Sequence, residues 1–307
     1  MAAAPRVNAA DFFSAEQWRS LSARSSWRGL WLVAQCWAVI AAAMWVGWYW
    51  PWTIPFALMV IGTRQLGFFI LMHDGAHGLL HPNRRINDWV AHWLCLGNLH
   101  AYRPYHLQHH RYVQQSEDPD LVLSAPFPVT RGSLWRKMAR DLSGQTFFKQ
   151  RFGPIVQAVK VRPAGMSAIT AAWPELRKQQ RFFIGHSLAL GMFTLAGYGW
   201  LWLALWLLPQ MTWLLLVYRI RNIAEHALIA QNQADPLRQA RTTHAGWLER
   251  FFIAPYWVNY HCEHHLFTQL PCWQLPRAHE LLRQRGTTAA METQPGYLKM
   301  LKLASAA

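Results

Sequence analysis

Gly29-LWLVAQCWAVIAAAMWVGWYWPWTIPFALMVIG-Thr63 carries no charged residue. As one α-helix it would be about 50 Å long, well beyond the roughly 30 Å apolar core of a bilayer, so it reads as two membrane helices folded back on each other. Trp50-Pro51-Trp52-Thr53-Ile54-Pro55 is the natural turn, and the second limb runs on past Arg64 to Leu71. A second uncharged stretch runs from Phe182 to Tyr218, with its turn at Gly197-Tyr198-Gly199 or near Pro209. Buried helices of a soluble protein would be the alternative, but the length of these runs argues against them. The expected fold is an all-α integral membrane protein, with four transmembrane helices in two hairpins, interfacial helices and a cytoplasmic histidine-rich cap.

Composition agrees. Hydrophobic residues make up 52% of the 307, Trp numbers 19, and charged residues are only 15%. Lys and Arg outnumber Asp and Glu 30 to 15, a surplus that in a soluble chain would suit nucleic acid. Here the basic residues flank the apolar runs, at Arg19, Arg24, Arg28, Arg177, Lys178, Arg181, Arg219 and Arg221, so membrane rather than nucleic acid is their context. The positive-inside rule makes that side cytoplasmic, and two hairpins return the N-terminus, the middle segment and the C-terminus to it. The opening Met1-Ala2-Ala3-Ala4-Pro5-Arg6 leads into a polar segment rather than an apolar core, which argues against a cleaved signal peptide. Cys36, Cys95, Cys262 and Cys272 show no framework spacing.

Against this frame stand three clusters of histidine. His106-Leu107-Gln108-His109-His110 puts three imidazoles into five residues, His261-Cys262-Glu263-His264-His265 repeats the spacing, and His73 and His77 form an i, i+4 pair. A lone cluster could be a satisfied polar patch; the repetition points to metal. On a helix, positions i, i+3 and i+4 share a face, so the three rings of a box are expected to converge on one point. His73 follows the first hairpin and His226, four residues after Asn222, follows the second, which makes His226 and Asn222 further candidates at the same depth.

Elsewhere, Asn8 to Arg24 suits a helix lying in the headgroup layer, and Trp89 to Tyr102, uncharged but too short to span, suits a re-entrant or interfacial helix. Ser116-Glu117-Asp118-Pro119-Asp120 ends the second box's helix; its carboxylates either orient imidazoles or form a solvated turn. Ser124 to Arg181 reads as a cytoplasmic excursion with short surface helices, Trp247 to Ile253 as another interfacial helix, and the tail beyond Leu275 as one amphipathic helix and a frayed end. His81, His92, His100, His244 and His279 take the bland reading of surface or interfacial residues, and His186 that of a neutral imidazole bonded to a neighbouring helix. One body is expected over residues 29–275, flanked by an N-terminal segment 1–28 and a tail 276–307.

Eight box histidines with His226 are too many for one zinc and suit two metal ions. The E-x-x-H pairs of carboxylate-bridged bundles do not occur, so an imidazole-rich iron pair is the sharper inference. The order H-x-x-x-H, H-x-x-H-H, H-x-x-H-H around two membrane hairpins resembles the membrane fatty-acid desaturase and hydroxylase superfamily, over residues 30 to 275. The resemblance implies a di-iron centre held by His73, His77, His106, His109, His110, His261, His264 and His265, with His226 as a ninth ligand and Asn222 reaching a metal through water.

It also implies O2 as co-substrate, a hydrophobic lipid entering from the bilayer, and insertion of a double bond into a fatty-acyl chain. Hydroxylation or ketolation of a carotenoid, sphingolipid or other hydrophobe is the alternative, because the first box does not separate them. A metal transporter would need ligands near mid-membrane, whereas these boxes fall at the ends of the spans. Flavin, haem and iron-sulfur motifs do not occur, so electrons must come from a ferredoxin-like carrier or a cytochrome with its reductase. The basic face would attract an acidic carrier, although anionic lipid accounts for the same charge.

Overall fold

The computed structural model describes residues 3–306. In chain order the helices are α1 (Ala15–Ser22), α2 (Arg28–Tyr49), α3 (Ile54–Ala76), α4 (Arg84–Trp89), α5 (Leu99–Tyr112), α6 (Leu121–Ser124), α7 (Arg131–Leu142), α8 (Gln145–Lys160), α9 (Ala168–Lys178) and α10 (Gln180–Leu195). They continue with α11 (Gly199–Trp202), α12 (Leu208–Met211), α13 (Trp213–His226), α14 (Trp247–Phe252), α15 (His261–Leu266), α16 (Leu275–Gln284) and α17 (Tyr297–Ala304). π-helical turns follow α4 at Val90–Leu94 and join α11 to α12 at Leu203–Leu207. The short strands β1 (Arg241–Thr243) and β2 (Glu292–Gln294) pair in parallel.

Among the described residues three stretches are long and apolar enough to cross a membrane, Arg28–Tyr49, Pro51–Ala76 and Gly199–His226, and the chain is an integral membrane protein. Between α2 and α3 lies a tight helical turn that Pro51 opens, at the position expected for a turn. In the second apolar stretch α10 has 16 residues, about 24 Å of helix against a core of roughly 30 Å, so it falls short of the other three. It ends before Gly197, whose φ of +84° suits glycine.

The chain divides into two compact units, residues 40–62 with 135–216 and residues 1–39 with 63–134 and 217–307. Within the former, the Trp48 ring meets Tyr198 edge-on at 4.7 Å and stacks on Trp200 at 5.9 Å, while Trp45, Tyr49 and Trp52 are exposed, an aromatic belt suited to a membrane interface. The Arg151 guanidinium lies 4.0 Å over the Phe182 ring. His186 packs against Phe182 and Trp202, and its Nδ1 makes no hydrogen bond, so the bond expected for it is not made there.

The other unit holds every candidate site residue. The N-terminal segment, expected in the headgroup layer, turns its apolar face to the protein: Phe12, Phe13 and Trp18 surround Phe267, just past the third box, and Ser20 bonds Gln274 and Arg277. A capping box formed by Ser14 and Gln17 starts α1. Up to residue 306, the segment expected to fray is packed. β2 pairs with β1 in the register Arg241↔Glu292, Tyr297, Met300 and Ala304 of α17 are buried, and Val129 N donates to Ala304 O at 2.9 Å. The re-entrant segment expected at 89–102 is the π-helical turn and the start of α5, with Trp89, Trp93 and Leu96 exposed and the Trp37 indole donating to Leu94 O at 2.9 Å.

Candidate metal centre

The last turn of α3 presents His73 and delivers His77, α5 carries His106, His109 and His110, α13 ends on His226, and α15 carries His261, His264 and His265. Their ring nitrogens gather into two groups, in each of which the donor atoms lie within 4.8 Å of one another: His73, His77, His106, His110 and His264 in one, and His109, His226, His261 and His265 in the other. The rings of one box do not converge on one point as expected. At about 100° per residue, His106 and His110 stand about 40° apart around the helix axis, whereas His109 is about 100° from His110. The i, i+4 pair of each box therefore serves one group and the remaining residue the other, so α5 and α15 each straddle both.

Nε2 atoms meet at 2.8 Å for His77 and His106, 3.0 Å for His106 and His110, and 3.0 Å for His110 and His264. In the second group the distances are 2.9 Å for His226 and His261, 3.1 Å for His261 and His265, and 3.3 Å for His109 and His265. An imidazole nitrogen offers one in-plane lone pair or one N–H, so His106, His110, His261 and His265, each meeting two other Nε2 atoms, cannot satisfy both by hydrogen bonds. A shared cation satisfies all at once. Donors about 2.1 Å from one ion and at right angles are about 3.0 Å apart, which matches these spacings. His73 is buried with neither ring nitrogen hydrogen-bonded, the state of a donor whose acceptor is a metal ion. Burial lowers the pKa of His77 to about 4, with the Arg103 charge adding to it, and holds His106, His110, His261, His264 and His265 well below the usual imidazole range. All are neutral at physiological pH, with lone pairs free for metal. The residues thus fit two metal ions, and the donor set is that of a di-iron centre.

Supporting polar groups hold the gathered imidazoles. His109 Nδ1 donates to Asp118 Oδ1 at 2.8 Å, and Asp118 in turn accepts from the amides of Gln114 and Asp120 at 2.9 and 2.8 Å. Of the two readings of this acidic turn, orientation of an imidazole is the one realised. Asp120 bonds the Tyr105 hydroxyl. Asp74 accepts from Cys272 N at 2.9 Å, which ties the first box to the segment after the third. Arg103 on α5 closes the end of α3, donating to Ala76 O at 2.9 Å and Gly75 O at 3.1 Å while it pairs with Asp88. Burial raises the Asp88 carboxyl, but bonds from Arg103, Asn87 and Arg84 and the Arg103 charge hold it down at about 2, so the pair stays ionised.

Two residues escape a reading by spacing. His279, taken as a surface histidine, is buried, and its Nδ1 donates to Glu263 Oε1 at 2.5 Å. Glu263, inside the third box and fully buried, also accepts from Thr242 of β1. Asn222 is buried one turn before His226, and its side chain bonds with Tyr218.

Residues 49–294 match the family described as fatty acid desaturase. The chain is 26% identical over 297 residues to dihydrorhizobitoxine desaturase of Bradyrhizobium elkanii, an alignment covering 87% of this chain and 76% of that protein. It is 24% identical over 264 residues to a chloroplastic omega-6 fatty acid desaturase of Arabidopsis thaliana, covering 76% of this chain and 54% of the relative. With zeaxanthin 4-ketolase of Chlamydomonas reinhardtii it shares 25% over 264 residues, 83% of this chain and 50% of the ketolase. The chain thus spans about three quarters of the first relative and about half of the other two.

Proposed function

The chain belongs to the fatty acid desaturase family, with a di-iron oxidoreductase centre in a membrane protein, and on that footing we propose that it uses O2 to introduce a double bond into a fatty-acyl chain of a membrane lipid or acyl thioester. The observation that carries this reading is the gathering of nine imidazoles into two groups where apolar helices end. His73, His77, His106, His110 and His264 would hold one iron and His109, His226, His261 and His265 the other, with Asn222 reaching the second through water. When bound, the two ferrous ions supply reduction of O2, with two electrons from outside, to an oxidant able to take hydrogen from an unactivated methylene, which no acid or base can deprotonate.

The chain's own residues set the conditions for that chemistry. Burial keeps His77, His106, His110, His261, His264 and His265 neutral, Asp118 fixes the tautomer of His109, and Arg103 locks the first box to the second. The substrate enters laterally from the bilayer; in support, an apolar groove of about 320 Å³ runs beside α2, lined by Leu30, Val33, Trp37, Ile86, Trp89 and Leu94 among others. Electrons come from a separate ferredoxin-like carrier or cytochrome. A polar cavity of about 260 Å³, bounded by Arg6, Asn8, Trp18 and Gln269, reaches His110 and His265, one from each group, and offers that donor a short path. In this reading α10 makes a fourth crossing, both termini and the boxes are cytoplasmic, and residues 29–275 are the catalytic body between flanks 1–28 and 276–307.

The test is mass spectrometry of lipids and pigments from a host expressing the intact chain beside one expressing a His264→Ala variant. Acyl chains lighter by two hydrogens only with the intact chain support desaturation. The similarity to a ketolase keeps hydroxylation or ketolation as the second reading, which oxygenated products would favour. No new product from iron-loaded protein supplied with reductant would overturn both.

A further inference from the structure

Nine imidazoles divide five and four between the two groups, and the poorer group has a carboxylate at its edge. Glu225 immediately precedes His226 on α13 and is 2% exposed. Its Oε2 lies 3.6 Å from Nε2 of His261, the same nitrogen that meets His226 at 2.9 Å and His265 at 3.1 Å. Arg221, one turn earlier, reaches that Oε2 with a single nitrogen at 3.3 Å. Glu225 Oε1 and Arg221 Nε have no hydrogen-bond partner.

A buried arginine and carboxylate that serve only each other close as two short parallel N–H···O bonds. This pair makes one long contact and leaves a carboxylate oxygen bare inside the protein, an arrangement that burial penalises unless another cation completes it. The oxygen nearest the imidazoles is Oε2, which Arg221 also meets, and its 3.6 Å to His261 Nε2 suits a shared ion: two donors each about 2.1 Å from one ion are about 3.6 Å apart when they subtend 120°. Charge points the same way. Two ferrous ions bring four positive charges into a buried site, and neutral imidazoles cancel none of them. Asn222, the donor that the resemblance implies through water, brings no charge either.

We infer that Glu225 is the fifth donor of the four-imidazole site, a carboxylate ligand to the second iron that Arg221 holds in place. This rests on the di-iron reading above. To test it, metal-free full-length protein in detergent is titrated anaerobically with Fe(II), and the loaded protein is examined by Mössbauer spectroscopy. Glu225→Gln, of the same shape without the charge, is expected to keep one iron at wild-type affinity, weaken the other by about 10- to 100-fold and change one of the two ferrous doublets. Glu225→Asp, which keeps the charge, should fall between. If the unpaired Arg221 disturbs folding of the Gln variant, as followed by circular dichroism, the Arg221→Gln, Glu225→Gln double variant removes both charges and carries the same expectation. Two irons bound at wild-type affinity with both doublets unchanged, in either folded variant, would overturn the inference and leave the di-iron reading standing. Wild-type protein that takes up no iron would overturn both.

Discussion

Asp118 turns His109 from a ring free to rotate and to carry its proton on either nitrogen into a donor with one lone pair aimed at the second group. Asp118→Ala should therefore lower iron affinity by about 10- to 100-fold while the protein stays folded, measured by Fe(II) titration beside a thermal melt. Removing a ligand outright is harsher: His109→Ala and His264→Ala, one from each group, should each deplete iron and abolish product, and retained activity in either would count against the site. His244→Ala should be mild, because its exposed side chain makes one edge-on ring contact, with His279 at 5.4 Å, and its backbone amide, which Ala keeps, donates to Gln294 O at 2.8 Å. Complete loss of activity there would mean the ligand set is misplaced. At this scale the gathering of the nine histidines is legible because a shared cation would demand residue identity at helical spacing. The Glu263 bond to His279 is not, since it joins residues 16 apart across two helices that only the fold brings together.

Between elements, the first two boxes meet through one arginine. Arg103 fills two carbonyls at the end of α3 and an ion pair with Asp88, with its side chain 16% exposed. Replacing it by Met should cost about 2–3 kcal/mol, because charge-assisted bonds are lost and the carbonyls of Gly75 and Ala76 lose a donor. Arg103→Lys should not restore the loss, since an ammonium cannot span three acceptors as the planar fork does. Chemical denaturation in detergent reads the first, and iron content should fall with it as His77 loses its anchor; a Lys variant as stable as wild type would refute this account. The long apolar helices and their first turn are visible in the chain because charge must vanish for the width of a bilayer. The ends escape a reading of the chain for a physical reason: three-residue strands have no periodicity, and the Arg241↔Glu292 pairing closes a loop that no local pattern announces. Likewise the apolar face of Asn8 to Arg24 looks the same whether it meets lipid or Phe267.

For the whole molecule the proposed fourth crossing is argued from where the histidines sit. His73 lies at the end of the span Pro51–Ala76 and His226 at the end of Gly199–His226, yet both stand in one cluster, with His109 at 4.8 Å from His226 and 5.6 Å from His110, which is 6.5 Å from His73, centroid to centroid. Two spans that each arrive on the same side need the chain to cross once in between, and the apolar stretch available for it is α10. At about 24 Å α10 would be a short crossing, a mismatch that local thinning of the bilayer would absorb at a modest cost per ångström. In the proposed reading, four crossings with the Arg-flanked ends inside would place the Gly197 turn outside and everything near the boxes within. Fusions read this directly: alkaline phosphatase joined after Gly197 should be active, and inactive when joined after Pro163 or at the C-terminus, with a fluorescent protein giving the reverse. Activity at the C-terminus but not after Gly197 would mean three crossings, and would require one of the two spans to bring its histidine to the site from the opposite leaflet, which the single cluster does not permit.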